Sequence, residues 1–176
     1  MRPWLALAAL LALLDQALKA WALEALAAGP VALGPWLDLR LAHNPGAAFG
    51  LLASGQGWQR WLFLGVALAA TALLLAWLRR LGPGTGSGGA AAEKAGIACL
   101  LGGAWGNAAD RVLRGPVVDY VDFHFPAASC PPLFYPRLHP EGPACHWPAF
   151  NLADAALTVG VVLLLASALA ARRARV

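Results

Sequence analysis

Residues 149–171 of the chain read AFNLADAALTVGVVLLLASALAA, an apolar run long enough to cross a lipid bilayer that nevertheless contains an acid, Asp154. An α-helix rises about 1.5 Å per residue, so about 20 apolar residues cross a hydrocarbon core of roughly 30 Å. A carboxylate at the centre of such a helix costs roughly 2.5 to 3.5 kcal/mol on insertion scales, and less near the interface. An acid retained within a membrane span therefore indicates a functional role.

The motif that carries this acid, Asn-x-x-Asp, occurs twice: Asn151 and Asp154 form one copy, and Asn107 and Asp110 form the other. Hydrophobic residues make up 60% of the 176 residues and charged residues only 12%, against about 25% in a soluble domain. The apolar stretches lie near residues 4–26, 58–79, 94–114 and 149–171. We therefore predict an all-α membrane protein, a bundle of four transmembrane helices that forms a single integral-membrane domain over residues 1–176.

Basic residues indicate which side of the membrane each end of a helix faces. Seven of the 13 Lys and Arg residues lie at one end of the predicted spans, namely Arg2, Arg79, Arg80, Lys94, Arg172, Arg173 and Arg175. Because basic flanks remain in the cytoplasm, both termini are expected there, and the loops 27–57 and 115–148 are expected outside. The net charge of +4 then follows from topology, so no nucleic-acid partner is expected.

The first apolar stretch has an alternative interpretation as a cleaved signal peptide, with residues 25–27 (Ala-Leu-Ala) as the cleavage site. Asp15 and Lys19 interrupt its apolar run, however. Removal of the segment would also leave the charged groups of the remaining spans without these partners. Both points favour a retained helix.

The loops between the spans predict a small extracytoplasmic region of strands and turns. Residues 31–42 partly alternate between apolar and polar side chains, residues 117–123 do so weakly, and both are expected to be extended. A turn is predicted at residues 43–46 (His-Asn-Pro-Gly). Residues 126–148 contain seven prolines and are expected to be irregular, and residues 81–92 form a Gly-rich linker. An interfacial aromatic belt is predicted from Trp36, Phe49, Trp58 and Trp61.

Charged side chains within the spans allow several roles. Asp15 and Lys19 lie four residues apart on one helix face, where they can form a structural ion pair, although a direct catalytic role for Lys19 stays open. Asn107, Asp110 and Arg111 also share one face. Arg111 can anchor the helix at the interface, or it can pair with a carboxylate or bind a substrate carbonyl.

Several acids are expected at one depth, near the outer interface. Asp154 begins one helix there, Asp110 ends another, and Asp119 follows a few residues later. From the residues alone, either Asp110 or Asp119 could partner Asp154. Two carboxyl groups brought close share a proton, and such a pair can activate water while one acid protonates a carbonyl or an amine. This chemistry needs no metal and no cofactor, and none is expected.

The cysteines allow three interpretations. Cys130 and Cys145 lie in the second outer loop, an oxidising setting that favours a disulfide. The alternatives are free thiols, or a zinc site formed by both cysteines with one or two of the loop histidines His124, His139 and His146. Cys99, within the third span, is expected to be a buried inert thiol.

Five short motifs, in order along the chain, resemble the bacterial lipoprotein signal peptidase (type II signal peptidase) family. They are Asp15-Gln16 with Lys19, residues 44–49 (NPGAAF), residues 102–107 (GGAWGN) with Asp110-Arg111, residues 117–119 (VVD), and residues 148–154 (PAFNLAD). Each motif alone is weak. Their order on a chain with four apolar stretches makes the resemblance specific from residue 15 to about residue 160.

The resemblance implies an aspartyl endopeptidase of the bacterial cytoplasmic membrane, a multi-pass protein with its active site near the extracytoplasmic face. Its substrates would be diacylglyceryl-modified prolipoproteins, cut on the amino side of the lipidated cysteine, and the implied partners are membrane lipids and the inhibitor globomycin. The catalytic pair implied by the family is Asp119 and Asp154. The residues implied to bind substrate or support the site are Asp15, Lys19, Asn44, Asn107, Asp110, Arg111 and Asn151.

Two departures from the family pattern concern the outer loops. Pro45 follows Asn44 where the family usually has Thr, which removes a hydroxyl group. The segment between Asp119 and Asn151 is longer than usual and contains the two loop cysteines.

Two other functions compete with a peptidase. A proton-coupled transporter would distribute acids across the membrane depth, and a non-enzymatic scaffold would not require Asp119 and Asp154.

Overall fold

The computed structural model of the protein describes residues 1–46, 57–82, 88–126, 129–139 and 142–173. These residues form four long helices and five short strands. In chain order they are α1 (Arg2–Ala25), β1 (Val31–Gly34), β2 (Leu37–Asn44), α2 (Trp58–Arg80), α3 (Gly88–Leu113), β3 (Val117–Pro126), β4 (Tyr135–His139), β5 (Gly142–His146) and α4 (Leu152–Arg173). The helices follow the predicted apolar stretches to within a few residues, except that α3 begins six residues before residue 94.

Within the described residues, three helices, α1, α2 and α4, are long and apolar enough to cross a membrane. Their apolar side chains face outward: Leu68 and Leu73 on α2 are 71% and 72% exposed. A continuous apolar surface of this kind is unfavourable in water and favourable in contact with lipid. The chain is an integral membrane protein, and α3 as a fourth span stays a prediction.

Helix α3 lies among the other three helices and contacts each of them. Ile97 and Leu101 on it are fully buried and pack against Ala8 of α1 and Leu78 of α2. Towards α4 the backbones approach closely, because a Cβ atom placed on Gly103 would lie 2.5 Å from the carbonyl oxygen of Ala153. Small residues permit such approach between helices in membranes. This packing sets α3 and α4 at the distance that the polar site requires.

The strands form one antiparallel sheet in the order β1-β2-β3-β5-β4. The predictions of strands within residues 31–42 and of an extended segment at residues 117–123 are confirmed. The turn predicted at residues 43–46 is confined to a bend at Pro45 and Gly46, because β2 continues to Asn44. The prediction that residues 126–148 are irregular is wrong for Tyr135–His139 and Gly142–His146, which pair as the hairpin of β4 and β5, and it is confirmed for residues 129–134 and 147–148.

The prolines of this hairpin occupy tolerated positions. Pro136 lies on β4, an edge strand of the sheet, and Pro143 pairs only with β4, because β3 pairs with β5 from Ala144 onward. Proline lacks an N–H group, so an edge strand or a strand end is where a sheet accommodates it.

Two further predictions concern the Gly-rich linker and the aromatic belt. The Gly-rich linker prediction is wrong for residues 88–92, where α3 has already begun, since the run Ala90–Ala92 has high helix propensity. Residues 83–87 and Phe49 lie outside the described residues. The other members of the predicted aromatic belt, Trp36, Trp58 and Trp61, are 65%, 53% and 67% exposed, as contact with lipid headgroups would require.

Hydrogen bonds fasten the sheet to the start of α4. The N–H groups of Tyr120 and Val121 donate to the carbonyl oxygen of Phe150 at 3.1 and 2.9 Å, and the N–H of Phe150 donates to the carbonyl of Val121 at 3.0 Å. Tyr120 also packs with Ala22 and Leu26 at the end of α1. The strand that carries Asp119 is therefore held against the first turn of α4.

Candidate active site

A cavity of about 1310 Å³ opens between the sheet and the adjacent ends of α3 and α4. Its walls include Asn44 of β2, Asp119 of β3, Asn107 and Arg111 of α3, and Asp154 of α4. Five of the nine polar residues singled out from the sequence thus surround one space. The other four, Asn151, Asp15, Lys19 and Asp110, are buried behind its wall.

Asn151 contacts both of the acids that line the cavity. Its side-chain Nδ2 donates to Asp119 Oδ1 at 2.7 Å, and its backbone N–H donates to Asp154 Oδ2 at 3.3 Å. Its Oδ1 in turn accepts from the backbone N–H of Asp154 at 3.0 Å, the N-cap interaction of α4. One residue therefore begins the helix and, through its side chain and its backbone N–H, contacts two carboxyl groups.

Asn107 holds Asp154 from the other side. Its Nδ2 donates to Asp154 Oδ1 at 2.8 Å, and its Oδ1 accepts from Lys19 Nζ at 3.0 Å and from Asn151 Nδ2 at 3.2 Å. These bonds connect α1, α3 and α4. Both oxygens of Asp154 thus receive N–H donors, from Asn107 and from the backbone of Asn151.

Behind the two asparagines lies a buried ion cluster. Lys19 Nζ is 2.8 Å from Asp15 Oδ2 and 2.9 Å from Asp110 Oδ2, with all three side chains fully buried. Asp110 also accepts from Arg114, so two acids face two bases and the cluster is neutral. Buried charges are tolerated only when they are paired and hydrogen-bonded. The structure thus places Lys19 in an ion pair with Asp15, and its Nζ reaches the cavity wall only through Asn107.

Asp15 and Asp110 each hold a backbone segment next to the two cavity acids. Asp15 Oδ1 accepts from the N–H of Ala153 in the first turn of α4 at 2.9 Å, and Asp110 Oδ2 accepts from the N–H of Val118 at 2.9 Å, one residue before Asp119. Spacing alone left Asp110 as a possible partner for Asp154. In the structure its oxygens are bonded to the ion cluster and to β3, and it lies outside the cavity walls.

Arg111 points from α3 towards the segment that follows β2. It donates to the carbonyl oxygen of Gly46 at 3.0 Å and to that of Asn107 at 3.1 Å, and its guanidinium lies 4.8 Å from the ring centroid of Phe63. Asn44 Oδ1 accepts from the N–H of Gly46 at 3.0 Å, which stabilises the same bend. Arg111 therefore fixes this wall of the cavity.

The environment of Asp119 favours its protonated form. Burial, first, and the charge of Asp154, second, raise the pKa of Asp119 from 3.8 to about 7. Hydrogen bonds from Asn44 and Asn151 and the charge of Lys19 act in the opposite direction. At neutral pH the pair can therefore hold one proton, which is the state needed for combined acid and base catalysis.

The loop cysteines are bonded to each other: the structure contains a Cys130–Cys145 disulfide, with Cα atoms 5.3 Å apart. The alternative zinc site made from these thiols is therefore wrong, because neither sulfur is available as a thiolate ligand. The three loop histidines nevertheless lie close to carboxylates: His124 and His139 contact Asp38, and His146 contacts Asp122. Cys99 is a free, half-buried cysteine on α3.

Sequence reasoning missed several parts of the site. Arg114 was not singled out, although its spacing of four residues from Asp110 on one helix was a usable signal. The hydroxyl of Tyr120 accepts from the N–H of Leu152 at 3.3 Å, which no local pattern indicates. The cavity wall formed by Leu133, Phe134 and Tyr135 was missed because the sequence did not indicate where the segment around the start of β4 packs.

The chain is similar in sequence to a known family of membrane peptidases. The family model of signal peptidase II matches residues 7–170 of the chain. A lipoprotein signal peptidase of Burkholderia mallei is 40% identical over 164 residues, which cover 93% of this chain and 85% of the relative. One of Paraburkholderia phymatum is 39% identical over 166 residues, with 92% and 84% covered.

Solved structures share the fold. One, described as a bacterial membrane enzyme determined by the in meso method at 2.3 Å resolution, gives a TM-score of 0.70 at 24% identity and covers 96% of this chain and 88% of the other. A second, determined by the same method at 1.9 Å resolution, gives 0.65 at 24% identity, with 96% and 94% covered.

Proposed function

The chain belongs to the signal peptidase II family, and on this premise we propose that it is an aspartyl endopeptidase in which Asp119 and Asp154 form the catalytic pair. The observation that carries the proposal is the double hydrogen bonding of Asn151. Asn151 contacts two carboxyl groups that lie on the wall of one cavity and come from two different elements, which supports their action as a pair.

The two acids take different roles because their surroundings differ. Asp154 accepts N–H donors at both oxygens and serves as the general base, whereas Asp119, with a pKa of about 7, carries the proton. Asp154 takes a proton from a water molecule as its oxygen attacks the scissile carbonyl carbon. Asp119 gives its proton to the carbonyl oxygen, which yields a tetrahedral diol.

The second half of the reaction reverses the two roles. Asp154 donates its proton to the amide nitrogen, and the C–N bond breaks. Asp119 recovers a proton from one hydroxyl group as the carbonyl of the new carboxylic acid forms. The products are an acid and an amine, and both side chains return to their starting protonation states. The buried ion cluster with Asp15, Lys19 and Asp110 holds the backbone beside each acid throughout.

The proposed substrates are diacylglyceryl-modified prolipoproteins, cut on the amino side of the lipidated cysteine. In support, the cavity wall continues from Asp154 along α4 to Val159, a distance of about 7.5 Å at 1.5 Å per residue, on a helix apolar enough to span a membrane. A substrate could thus keep its acyl chains in the bilayer while its peptide reaches the acids. The inhibitor globomycin is expected to occupy the same cavity.

The proposed location is the bacterial cytoplasmic membrane, with four spans, both termini in the cytoplasm and the sheet on the extracytoplasmic side. In support, the ends of α2 and α4 farthest from the sheet carry Arg79, Arg80, Arg172 and Arg173. Basic residues at such ends indicate the cytoplasmic side. The cavity then lies near the outer interface, where water can enter.

The proposed pair is tested with Asp119→Asn and Asp154→Asn, assayed on lipidated and unlipidated prolipoprotein side by side with globomycin as inhibitor. Each variant is expected to lose at least about 1,000-fold in kcat, because neither proton transfer can then be completed. Glu24→Gln, which alters an exposed acid on α1, is the matched control and should cleave normally. Near-normal turnover by either folded Asp variant would refute the pair.

A further inference from the structure

A second polar cluster lies at the other end of β3, roughly 17 Å along the strand from Asp119 at about 3.4 Å per residue. It contains Asp38 of β2, His124 of β3 and His139 of β4, and one potential ligand atom from each lies within 4.8 Å of the others. In the hydrogen-bonding order of the sheet, β3 and β5 separate β2 from β4. The contact of 3.1 Å between Asp38 Oδ2 and His139 Nε2 therefore requires the sheet to curl back on itself.

Only some of the potential ligand atoms in this cluster have hydrogen-bond partners. Among the described residues, neither Asp38 Oδ1 nor His124 Nε2 has a hydrogen-bond partner, although both atoms are buried. They lie 3.4 Å apart without hydrogen-bond geometry. A buried polar atom without a partner destabilises the folded state, because it has lost its hydrogen bonds to water. Two such atoms directed at the same small space indicate that a further group binds between them.

A neighbouring histidine, His146 of β5, is held in the way that proteins hold metal-binding imidazoles. Its Nδ1 donates to Asp122 at 2.9 and 3.0 Å, and Asp122 also accepts from Arg40 at 2.8 Å. A carboxylate bound to one ring nitrogen orients the ring and leaves the other nitrogen with a lone pair. That second nitrogen, Nε2, is buried and has no partner among the described residues, and the ring centroid lies 5.3 Å from that of His124.

We propose that Asp38, His124 and His139 bind a zinc-type divalent transition metal ion, with His146 Nε2 as the fourth ligand. Imidazole nitrogens with one carboxylate form a zinc ligand set, whereas Mg²⁺ and Ca²⁺ prefer oxygen ligands. Zinc bonds of about 2.0–2.2 Å require the ligand atoms of Asp38, His124 and His139 to converge from their present spacing, and the ring of His146 to move towards them. The ion pairs of Asp38 with protonated histidines are the competing explanation, but the rings of His124 and His139 stack at 4.4 Å, so two positive charges there would repel.

The bound ion would act on structure rather than on peptide cleavage. It would join β2, β3, β4 and β5 at the point where the curled sheet closes. The β4–β5 hairpin contributes Tyr135 and Arg137 to the wall of the large cavity, so the ion would fix that wall in place. This inference is independent of the proposed peptidase mechanism, because it concerns ligands remote from Asp119 and Asp154.

The test measures metal binding by untagged, chelator-stripped protein in detergent. Zinc per chain is determined by elemental analysis after equilibration with Zn²⁺ and removal of unbound ion. We expect one zinc per wild-type chain, and at least tenfold weaker binding by His124→Ala and Asp38→Asn. His43→Ala, which removes the one histidine that is not a proposed ligand, is the control and should bind like wild type. Equal binding by all four proteins, or none by wild type, would overturn the site.

A second measurement on the wild-type chain covers the case in which the variants fold poorly. Co²⁺ substituted for zinc should give the intense visible absorption of a four-coordinate nitrogen and oxygen complex, and Zn²⁺ but not Mg²⁺ should raise the thermal unfolding temperature. A weak octahedral Co²⁺ spectrum together with equal effects of Zn²⁺ and Mg²⁺ would show only non-specific binding and would overturn the proposal.

Discussion

At the scale of single residues, the site depends on asparagines that bind acids. The two Asn-x-x-Asp motifs were visible in the sequence, and spacing predicted that each Asn shares a helix face or a helix start with its Asp. The structure adds the cross-connection, in which Asn107 of the first motif binds Asp154 of the second. No local pattern could indicate that bond, because it depends on the packing of α3 against α4.

Asn151→Ser separates the two roles of Asn151. Serine is also a good N-cap, so the stability of α4 should change little, but the Nδ2 donor to Asp119 is lost. We expect kcat/KM to fall roughly tenfold to hundredfold through a misplaced carboxyl group. Because the lost bond had lowered the pKa of Asp119, the high-pH limb of the kcat/KM profile should move to higher pH. An unchanged pH profile would show that Asn151 acts only as a cap.

Asp119 should also make stability depend on pH. Its folded-state pKa of about 7 lies above the unperturbed 3.8, so between these values the native state binds more protons than the unfolded state. Stability of the wild-type protein should therefore decrease as pH rises from about 4 to about 7. Asp119→Asn removes this ionisation. Each unit of the pKa difference corresponds to about 1.36 kcal/mol of stability. We expect about half of the resulting total, roughly 2 kcal/mol, as the stabilisation at pH 8.

The measurement is thermal unfolding of wild type and Asp119→Asn in detergent at pH 5 and pH 8. The two proteins should differ more at pH 8 than at pH 5. A stabilisation that is the same at both pH values would mean that burial of Asp119 is not the cause. Such a gain in stability with a loss of activity is common at catalytic sites.

At the scale of secondary-structure elements, apolar length and alternation predicted most of what the structure contains. The helices and the strands β1, β2 and β3 follow from these patterns. The hairpin of β4 and β5 did not, because proline content is a local signal whereas an edge position in a sheet is a tertiary one. The contact between Asp38 and His139 was also not predicted, because it depends on tertiary structure that brings together strands about 100 residues apart in the chain.

Gly103 on α3 tests the close packing of α3 against α4. Gly103→Ala would place a methyl group 2.5 Å from the backbone carbonyl of Ala153, and the first turn of α4 would have to move. We expect destabilisation of roughly 1–3 kcal/mol and loss of cleavage, since Asp154 lies one residue beyond Ala153. Both are measured on purified protein, by thermal unfolding and by turnover of lipidated prolipoprotein.

Gly65→Ala on α2 is the matched control for this substitution. A Cβ atom there meets nothing within 4 Å, and alanine is about 1 kcal/mol more favourable than glycine inside a helix. This variant should be as stable as wild type or more stable, with normal cleavage. If both alanine variants behaved alike, the approach of the two helices would not be what positions Asp154.

At the scale of the whole molecule, the polar groups of the proposed active site lie together at the end that carries the sheet. The ion cluster, the asparagines and the two cavity acids all lie there, while α2 presents apolar side chains to its surroundings along its length. A transport path would instead require acids along the depth of the bundle. This distribution suits a reaction confined to one interface, which is what cleavage of a membrane-held peptide requires.

Single cysteines in a Cys99→Ser background test which face of the membrane this polar end occupies. Trp36→Cys, at a position 65% exposed on the sheet side, should react with a membrane-impermeant maleimide in intact cells. Ala171→Cys, next to Arg172 at the other end of α4, should react only after permeabilisation, because the proposed topology places that basic end in the cytoplasm. Leu73→Cys, on the outward face of α2, should react poorly in both conditions since lipid covers it. Labelling of Ala171→Cys but not of Trp36→Cys in intact cells would invert the topology and place the acids at the cytoplasmic face, where an extracytoplasmic peptide bond could not reach them.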